Sequence, residues 1–196
     1  MRVILASKSP RRREILGALA KEYGFLFDII TEEVDEDIGD IHPREGVRML
    51  AERKGAPVAS KHPDALVISS DTLVELEGVP LGKPADREDA IRMLRSLSDR
   101  GHNVHTGVCV THGGRAWSGT ASTEVVFRSV SDDEIIKYVD TGEPMDKAGA
   151  YGIQGAAGAF VERYVGEFDT VVGFNVTLLK SLLDEAIGGT NRLCED

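Results

Sequence analysis

Apolar and polar residues follow two spacings along this 196-residue chain, and the switches between them mark out its elements. Val3 to Ala6 is a short unbroken apolar run, the pattern of a strand covered on both faces. Ser9 then offers an N-cap and Pro10 fits the first helical position. Ile15, Leu16 and Leu19 share one face of a helix predicted to about Lys21. Phe25 to Ile30 reads as the next strand. Pro43 opens a second helix to about Ser60, with Val47, Leu50 and Lys54 at helical spacing on one side. Ala65 to Leu76 is a strongly apolar strand, interrupted only by Ser69, Ser70, Asp71 and Thr72. A turn at Gly78 folds it into a hairpin with Val79 to Leu81. Asp86, with Asp89 three residues on, caps a third helix that buries Ile91, Leu94 and Leu97. Asn103 to Thr111 and Arg115 to Arg128 form a long hairpin about Gly113 and Gly114. Ser131 caps a fourth helix, and Asp132, Asp133 and Glu134 sit in its first turn, where carboxylates suit the helix dipole. DKAGAYGIQGAAGAF, residues 146–160, is a glycine-rich loop. A strand from Phe160 to Tyr164 and a last helix from about Thr170 to Ala186 complete the pattern.

Strands, helices and hairpins are thus mixed in order, which predicts a mixed α/β or α+β fold around a mixed sheet. The chain has no linker, repeat or low-complexity run, and its length suits one domain over residues 1–196. Composition adds exclusions. Lys and Arg number 23 against 33 Asp and Glu, a net charge of -10. A protein this acidic is not built for non-specific contact with nucleic acid or anionic lipid, so neither partner is expected. No apolar run reaches the length of a membrane span. The N-terminal strand is broken at once by Ser7, Lys8 and arginines, unlike a signal peptide. The two cysteines, Cys109 in a strand and Cys194 in a polar tail, do not suggest a disulfide framework. Free thiols without an export signal point to the cytoplasm. His102 and His105 have the look of a metal pair, but on a strand they point to opposite faces and read as ordinary strand residues.

Four features carry candidate chemistry. Ser7, Ser9 and the run Arg11, Arg12 and Arg13 sit where a strand turns into a helix. Cations there oppose the helix dipole, so something negative must meet them. Free backbone N–H groups, hydroxyls and guanidinium forks together suit phosphate oxygens. Consecutive residues point about 100° apart on a helix, so Arg11 and then Arg12 are the two expected to face inward. The alternative is arginines spread into solvent. Asp71 is the second feature, a carboxylate inside an oily strand, costly unless paired or used. Lys54, Lys83 and Lys147 are the third. Each alone reads as a surface lysine, but with Asp71 and the arginines they could surround a triphosphate. The fourth is TEEVDEDIGD, residues 31–40, with six carboxylates and no base. It reads as a solvated loop from which one or two acids could join Asp71 on a hard cation such as magnesium. No Walker A pattern or nucleophile elbow is present, and Gly152 and Gly155 alone do not make a dinucleotide fingerprint.

In this order the motifs resemble those of the Maf family of nucleotide pyrophosphatases over nearly the whole chain. LASKSPRRREIL is similar to the family's N-terminal signature, AERKG to its A-x-x-K helix, SSDT to its catalytic strand and LGKPADREDA to its K-P-x-D element. EPMDKAGAYGIQG is the most specific match. The resemblance implies a two-lobed fold with a cleft, shared with house-cleaning triphosphatases of the ITPase kind, and often a homodimer. It implies hydrolysis of a nucleoside triphosphate to the monophosphate and pyrophosphate with a divalent cation, magnesium or manganese. Asp71 then matches the proton acceptor, with Lys54, Lys83 and Glu36 as supporting charges and Asp71 and Glu36 at the metal. Arg11, Thr72 and Gln154 match the positions that set substrate choice, while Ser9, Arg12 and Lys147 join them as substrate-binding candidates. Arg, Thr and Gln at the three choice positions resemble the branch that takes dTTP and UTP, not the branch that takes 7-methyl-GTP. Two departures stand out: Gly55 replaces the family's usual alanine, and Ser69 its usual glycine.

The expected chemistry is attack of a water, deprotonated by Asp71, on the α-phosphorus, while Arg11, Lys54 and Lys83 hold the phosphates and Gln154 reads the pyrimidine edge. Two rivals are a pyrophosphatase for modified or non-standard nucleotides and a non-catalytic nucleotide-binding regulator of cell division. The carboxylate speaks against a pure binder, since it would repel phosphates without an intervening metal.

Overall fold

The computed structural model describes residues 1–194. In chain order its elements are β1 (Val3–Leu5), α1 (Pro10–Tyr23), β2 (Phe27–Ile29), α2 (Pro43–Lys61), β3 (Leu66–Leu76), β4 (Val79–Leu81), α3 (Arg87–Leu97), β5 (Gly101–His112), β6 (Arg115–Phe127), α4 (Asp132–Val139), β7 (Val161–Val165), α5 (Phe168–Val172) and α6 (Val176–Ile187). Seven strands form one mixed sheet in the order β2-β1-β3-β5-β6-β7, with β4 paired to β3. β1 runs parallel to both β2 and β3, whereas the β3–β4 and β6–β7 pairs are antiparallel. This is the mixed α/β architecture, a mixed sheet flanked by helices, that the element order predicts.

The chain divides into two compact units, and β3, β5 and β6 each run from one into the other. The first unit comprises Met1–Asp71, Thr106–Ala121 and the segment from Gly173. Its strands are covered on both faces. Val3, Leu5, Leu66 and Ile68 pack with Leu16 and Leu19 of α1 and with Leu179 and Leu183 of α6. Ile4, Ala6 and Val67 point the other way and pack with Val58 of α2. This two-sided cover explains why β1 reads as an unbroken apolar run. The second unit comprises Thr72–His105 and Ser122–Val172. Leu94 and Leu97 of α3, Ile135 and Tyr138 of α4, and Val104, Val125 and Phe127 from the strands form its core together with Tyr151 and Phe160.

The helix starts follow the capping residues. Ser9, Asp86 and Ser131 cap α1, α3 and α4, the last through a capping box with Glu134. Three segments differ from the sequence reading. β2 begins at Phe27, because Gly24 ends α1 in a left-handed cap and Phe25 turns into the core. Within the glycine-rich stretch, and just before it, the backbone forms 3-10 turns at Glu143–Asp146, Ala148–Ala150 and Ala156–Phe160. The last helix is broken: α5 stops at Val172, Phe174 is fully buried, and the Asn175 side chain accepts from the Leu178 N–H (2.6 Å) to start α6. A 3-10 turn at Thr190–Cys194 follows α6.

Cys109 and Cys194 are both free. His102 and His105 are separated as strand geometry requires. His102 shares a hydrogen bond with Tyr151 (2.8 Å), whereas His105 lies between Glu75 and Ser122 (2.7 Å each). Among the described residues no helix is long and apolar enough to cross a membrane.

Candidate active site

The charged residues of the first unit are brought together by α1, α2 and β3. At the start of α1, the Ser9 hydroxyl accepts from the Arg12 N–H (3.5 Å), while the Ser7 hydroxyl accepts from the Ser9 N–H (3.2 Å). The first turn of the helix carries no acid. Its negative counterpart comes from elsewhere: Arg12 Nη2 lies 3.9 Å from Asp71 Oδ1 on β3. Arg12 also donates from Nε to the Gly173 carbonyl (2.8 Å) and from Nη1 to Ser7 (3.4 Å). The break before α6 supplies that carbonyl, which accepts from Ser70 as well (3.2 Å). Burial lowers the Arg12 pKa from its ordinary value, and Asp71 works against that shift. Of the three arginines it is therefore Arg12 that meets the acid. Arg11 is half-buried and makes no hydrogen bond or ion pair among the described residues, and Arg13 is exposed.

Lys54 reaches the same oxygen of Asp71 from α2. Its ammonium lies 2.5 Å from Asp71 Oδ1 and 2.9 Å from Glu36 Oε1. The side chain of Asp71 is 9% exposed and that of Lys54 is 17% exposed, so this pair sits largely out of water. Glu36 comes from the acidic stretch, and a neighbour that sequence reasoning missed ties down that stretch. Arg53 Nη1 donates to the carbonyls of Asp35 (3.3 Å) and Asp37 (2.6 Å), which hold Glu36 between them. The signal was present in AERKG, a second cation beside the lysine.

The two departures from the family pattern meet each other here. Ser69, two residues before Asp71, lies on the same face of β3. Its hydroxyl donates to the Ala51 carbonyl of α2 (2.6 Å). A Cβ added at Gly55 would stand 2.6 Å from that hydroxyl oxygen. The glycine thus makes room for the serine, and the pair sets the contact of α2 with β3 beside Lys54 and Asp71.

The remaining candidates lie in the second unit. Thr72 is half-buried and has a partner; Lys83 and Gln154 are exposed and make no hydrogen bond or ion pair among the described residues. Lys147 is turned to its own loop, donating to the Glu143 carbonyl and to Asp146 (2.7 Å each).

Whether these residues suit a divalent cation can be judged from the donors. Asp71 and Glu36 close on a single ammonium, so their carboxylates share one locality. The donor set is all oxygen, which suits magnesium or manganese and not a soft metal. Among the described residues no group of three or more His, Cys, Asp or Glu could hold a metal. Two carboxylates completed by water and phosphate oxygens match the habit of magnesium.

Fold and site together define a mixed α/β protein organised around a buried carboxylate gripped by cations. The family described as "Maf-like protein" matches residues 2–186. A dTTP/UTP pyrophosphatase of Bdellovibrio bacteriovorus is 45% identical over 191 residues, covering 93% of this chain and 97% of that protein. Proteins of the same description from Thermococcus onnurineus (46% identical, 95% and 98% covered) and Bacillus velezensis (44%, 94% and 96%) are similar over the same extent. This chain belongs to the Maf family.

Proposed function

We propose that this chain is a nucleoside triphosphate pyrophosphatase that converts dTTP and UTP to the monophosphate and pyrophosphate, clearing nucleotide pools. The observation that carries the reading is Asp71, a buried strand carboxylate within 2.5 Å of the Lys54 ammonium and 3.9 Å of the Arg12 guanidinium. Two cations offset the cost of burying a carboxylate, and they also leave positive charge at hand for phosphate oxygens. A base working beside polyphosphate needs them. Full-length likeness to proteins described as dTTP/UTP pyrophosphatases supports the substrate.

In this mechanism Asp71 accepts a proton from the attacking water and orients it toward the α-phosphorus. A positioned base of this kind contributes about 10²- to 10⁴-fold. Lys54 and Arg12 place positive charge where negative charge grows on the phosphoryl oxygens, in a site partly withdrawn from water where such charge acts strongly. The Ser9 hydroxyl and the Arg11 backbone N–H at the start of α1 offer donors to phosphate oxygens. Glu36 holds Lys54 in place through its second contact. A divalent cation held by Asp71 and Glu36 would neutralise phosphate charge and polarise the scissile bond. For Arg11, Thr72, Lys83 and Gln154, the roles in phosphate grip and pyrimidine choice rest on the family resemblance. A buried hydrogen-bonding site of that kind rejects the wrong base because its polar groups go unpaired. The resemblance also carries a homodimer, and the two free cysteines fit a cytoplasmic location.

The test is a panel of dTTP, UTP, CTP, ATP and GTP, assayed with magnesium and with a chelator, with products separated by ion exchange. The expected result is monophosphate plus pyrophosphate from dTTP and UTP, lost on chelation. Release of orthophosphate in place of pyrophosphate, or equal turnover of all five, overturns the reading.

A further inference from the structure

The sequence EPMDKAGAYGIQG raises a question that the mechanism leaves open. Gln154 lies in a stretch with glycines at 149, 152, 155 and 158, yet a residue that reads a base must be held still. Gly155 N–H donates to the Gly152 carbonyl (3.0 Å), closing a four-residue turn with Ile153 and Gln154 at its centre. Both ends of that turn lead back to one side chain, Glu143, the Gly152 end through Tyr138. Tyr138 donates its hydroxyl proton to Glu143 Oε1 (3.1 Å) and accepts from the Gly152 N–H (3.2 Å). The Ala156 N–H points to Glu143 Oε2 (3.4 Å). A Cβ built on Gly155 would fall on the Glu143 carboxylate, and one on Gly152 would stand 3.2 Å from Oε1 and 2.7 Å from the Lys147 stem. At Gly155 the carboxylate occupies the space a side chain would take, and at Gly152 the Lys147 stem and the carboxylate do so together. Lys147 fixes the anchor in turn, donating to the Glu143 carbonyl (2.7 Å). Burial, with the Glu143 charge adding to it, raises the Tyr138 phenol above its ordinary pKa, so it remains a donor. Gln154 itself is exposed and has no partner among the described residues, leaving its amide for a ligand.

We propose that Glu143 is a positioning residue for substrate choice: its carboxylate, held by Tyr138 and seated against Gly152 and Gly155, sets the turn that presents Gln154. This rests on the reading of Gln154 as the residue that recognises the pyrimidine. A glycine-rich turn without its anchor samples many conformations, and the ligand must then order it on binding. The loss should fall on the affinity for the preferred base and not on the chemical step.

The test compares Glu143→Ala, Glu143→Gln, Tyr138→Phe and Gln154→Ala in steady-state hydrolysis of dTTP, UTP and ATP. Glu143→Ala should raise KM for dTTP and UTP about tenfold, equivalent to about 1.4 kcal/mol, with kcat within about twofold and kcat/KM for ATP unchanged. Glu143→Gln keeps the size but only one of the two accepting oxygens, and should restore part of the affinity. Tyr138→Phe, which leaves the ring in the core, should raise the same KM values by a smaller factor. It tests the anchor even if Glu143→Ala fails to fold. If Gln154→Ala raises the pyrimidine KM while Glu143→Ala and Tyr138→Phe leave it unchanged, the anchoring role is wrong. If Gln154→Ala itself leaves pyrimidine preference intact, the reading of Gln154 fails and the anchor's purpose with it. A uniform fall in kcat for all three substrates in Glu143→Ala and Tyr138→Phe would show only loop damage and would overturn the proposal.

Discussion

Replacing Gly55 by alanine isolates the contact that holds Lys54 against Asp71. In an ordinary helix interior the change stabilises by about 0.5–1 kcal/mol, because alanine loses less backbone freedom than glycine. Here the new methyl would stand 2.6 Å from the Ser69 hydroxyl oxygen and 3.4 Å from its Cβ. Both residues are buried, so the neighbour cannot swing into solvent. Overpacking of this kind costs about 1–3 kcal/mol, and displacing Ser69 from the Ala51 carbonyl forfeits about 0.5–1.5 kcal/mol more. The net is about 0.5–4 kcal/mol of destabilisation, or about 1–16 °C in Tm for a chain of this size. Ser69→Gly alone loses the hydrogen bond and should cost about 1–2 kcal/mol. The double variant, which has the family's usual residues at both sites, removes the collision. It should be more stable than the sum of the singles by about 1–3 kcal/mol, the coupling expected for residues in contact. Urea unfolding of the four proteins, followed by circular dichroism, measures this cycle. Turnover should follow the same order, falling in Gly55→Ala and returning in the double variant, because Lys54 adjoins the collision and Asp71 lies two residues from it. Additive effects within 0.5 kcal/mol, or a Gly55→Ala protein more stable than the parent, would refute the reasoning.

Two further outcomes follow from other parts of the chain. Burial lowers the His102 pKa to about 4, and its Nδ1 has no hydrogen-bond partner among the described residues. The unfolded chain takes up a proton near pH 6.5 that the folded protein refuses until about pH 4. Stability is therefore full above pH 6.5 and falls as the pH drops through that window, by roughly 3 kcal/mol in all; urea midpoints from pH 7 to pH 4 should show a shallower fall in His102→Gln than in the parent. Arg53→Ala frees the acidic stretch from two carbonyl contacts, each worth about 1 kcal/mol at most in this exposed setting. The magnesium concentration for half-maximal turnover should rise about fivefold with little change in Tm, as a metal titration of activity would show.

Much of the fold was legible in the sequence because capping and periodicity are local. Ser9, Asp86 and Ser131 started helices where their side chains can accept from the first turn. The β3 run was readable because burial on both faces leaves no polar alternation to confuse it. The break within the last helix pattern was missed. Gly173, at a positive φ, and Asn175, the N-cap of α6, are the local signals of the break, but what requires it is tertiary: Phe174 is drawn into the core of the first unit while the Gly173 carbonyl serves Arg12 and Ser70. The site shows the same division. An acid in an oily strand marks itself, since its cost demands a partner. That Lys54 and Arg12 are those partners, and that Arg12 and not Arg11 turns to the acid, depends on how α1 and α2 pack against β3. Glu143 escaped notice because a glutamate before a proline looks like a loop residue until the glycines are seen to close over it.

The most direct measurement is pyrophosphate release from dTTP by Asp71→Asn at saturating substrate and magnesium, beside the parent protein. The change keeps the size of the side chain and removes its capacity to take a proton. Turnover should fall by at least about 10²-fold while the circular dichroism spectrum is unchanged. A variant that still releases pyrophosphate at the parental rate would contradict the account at its centre.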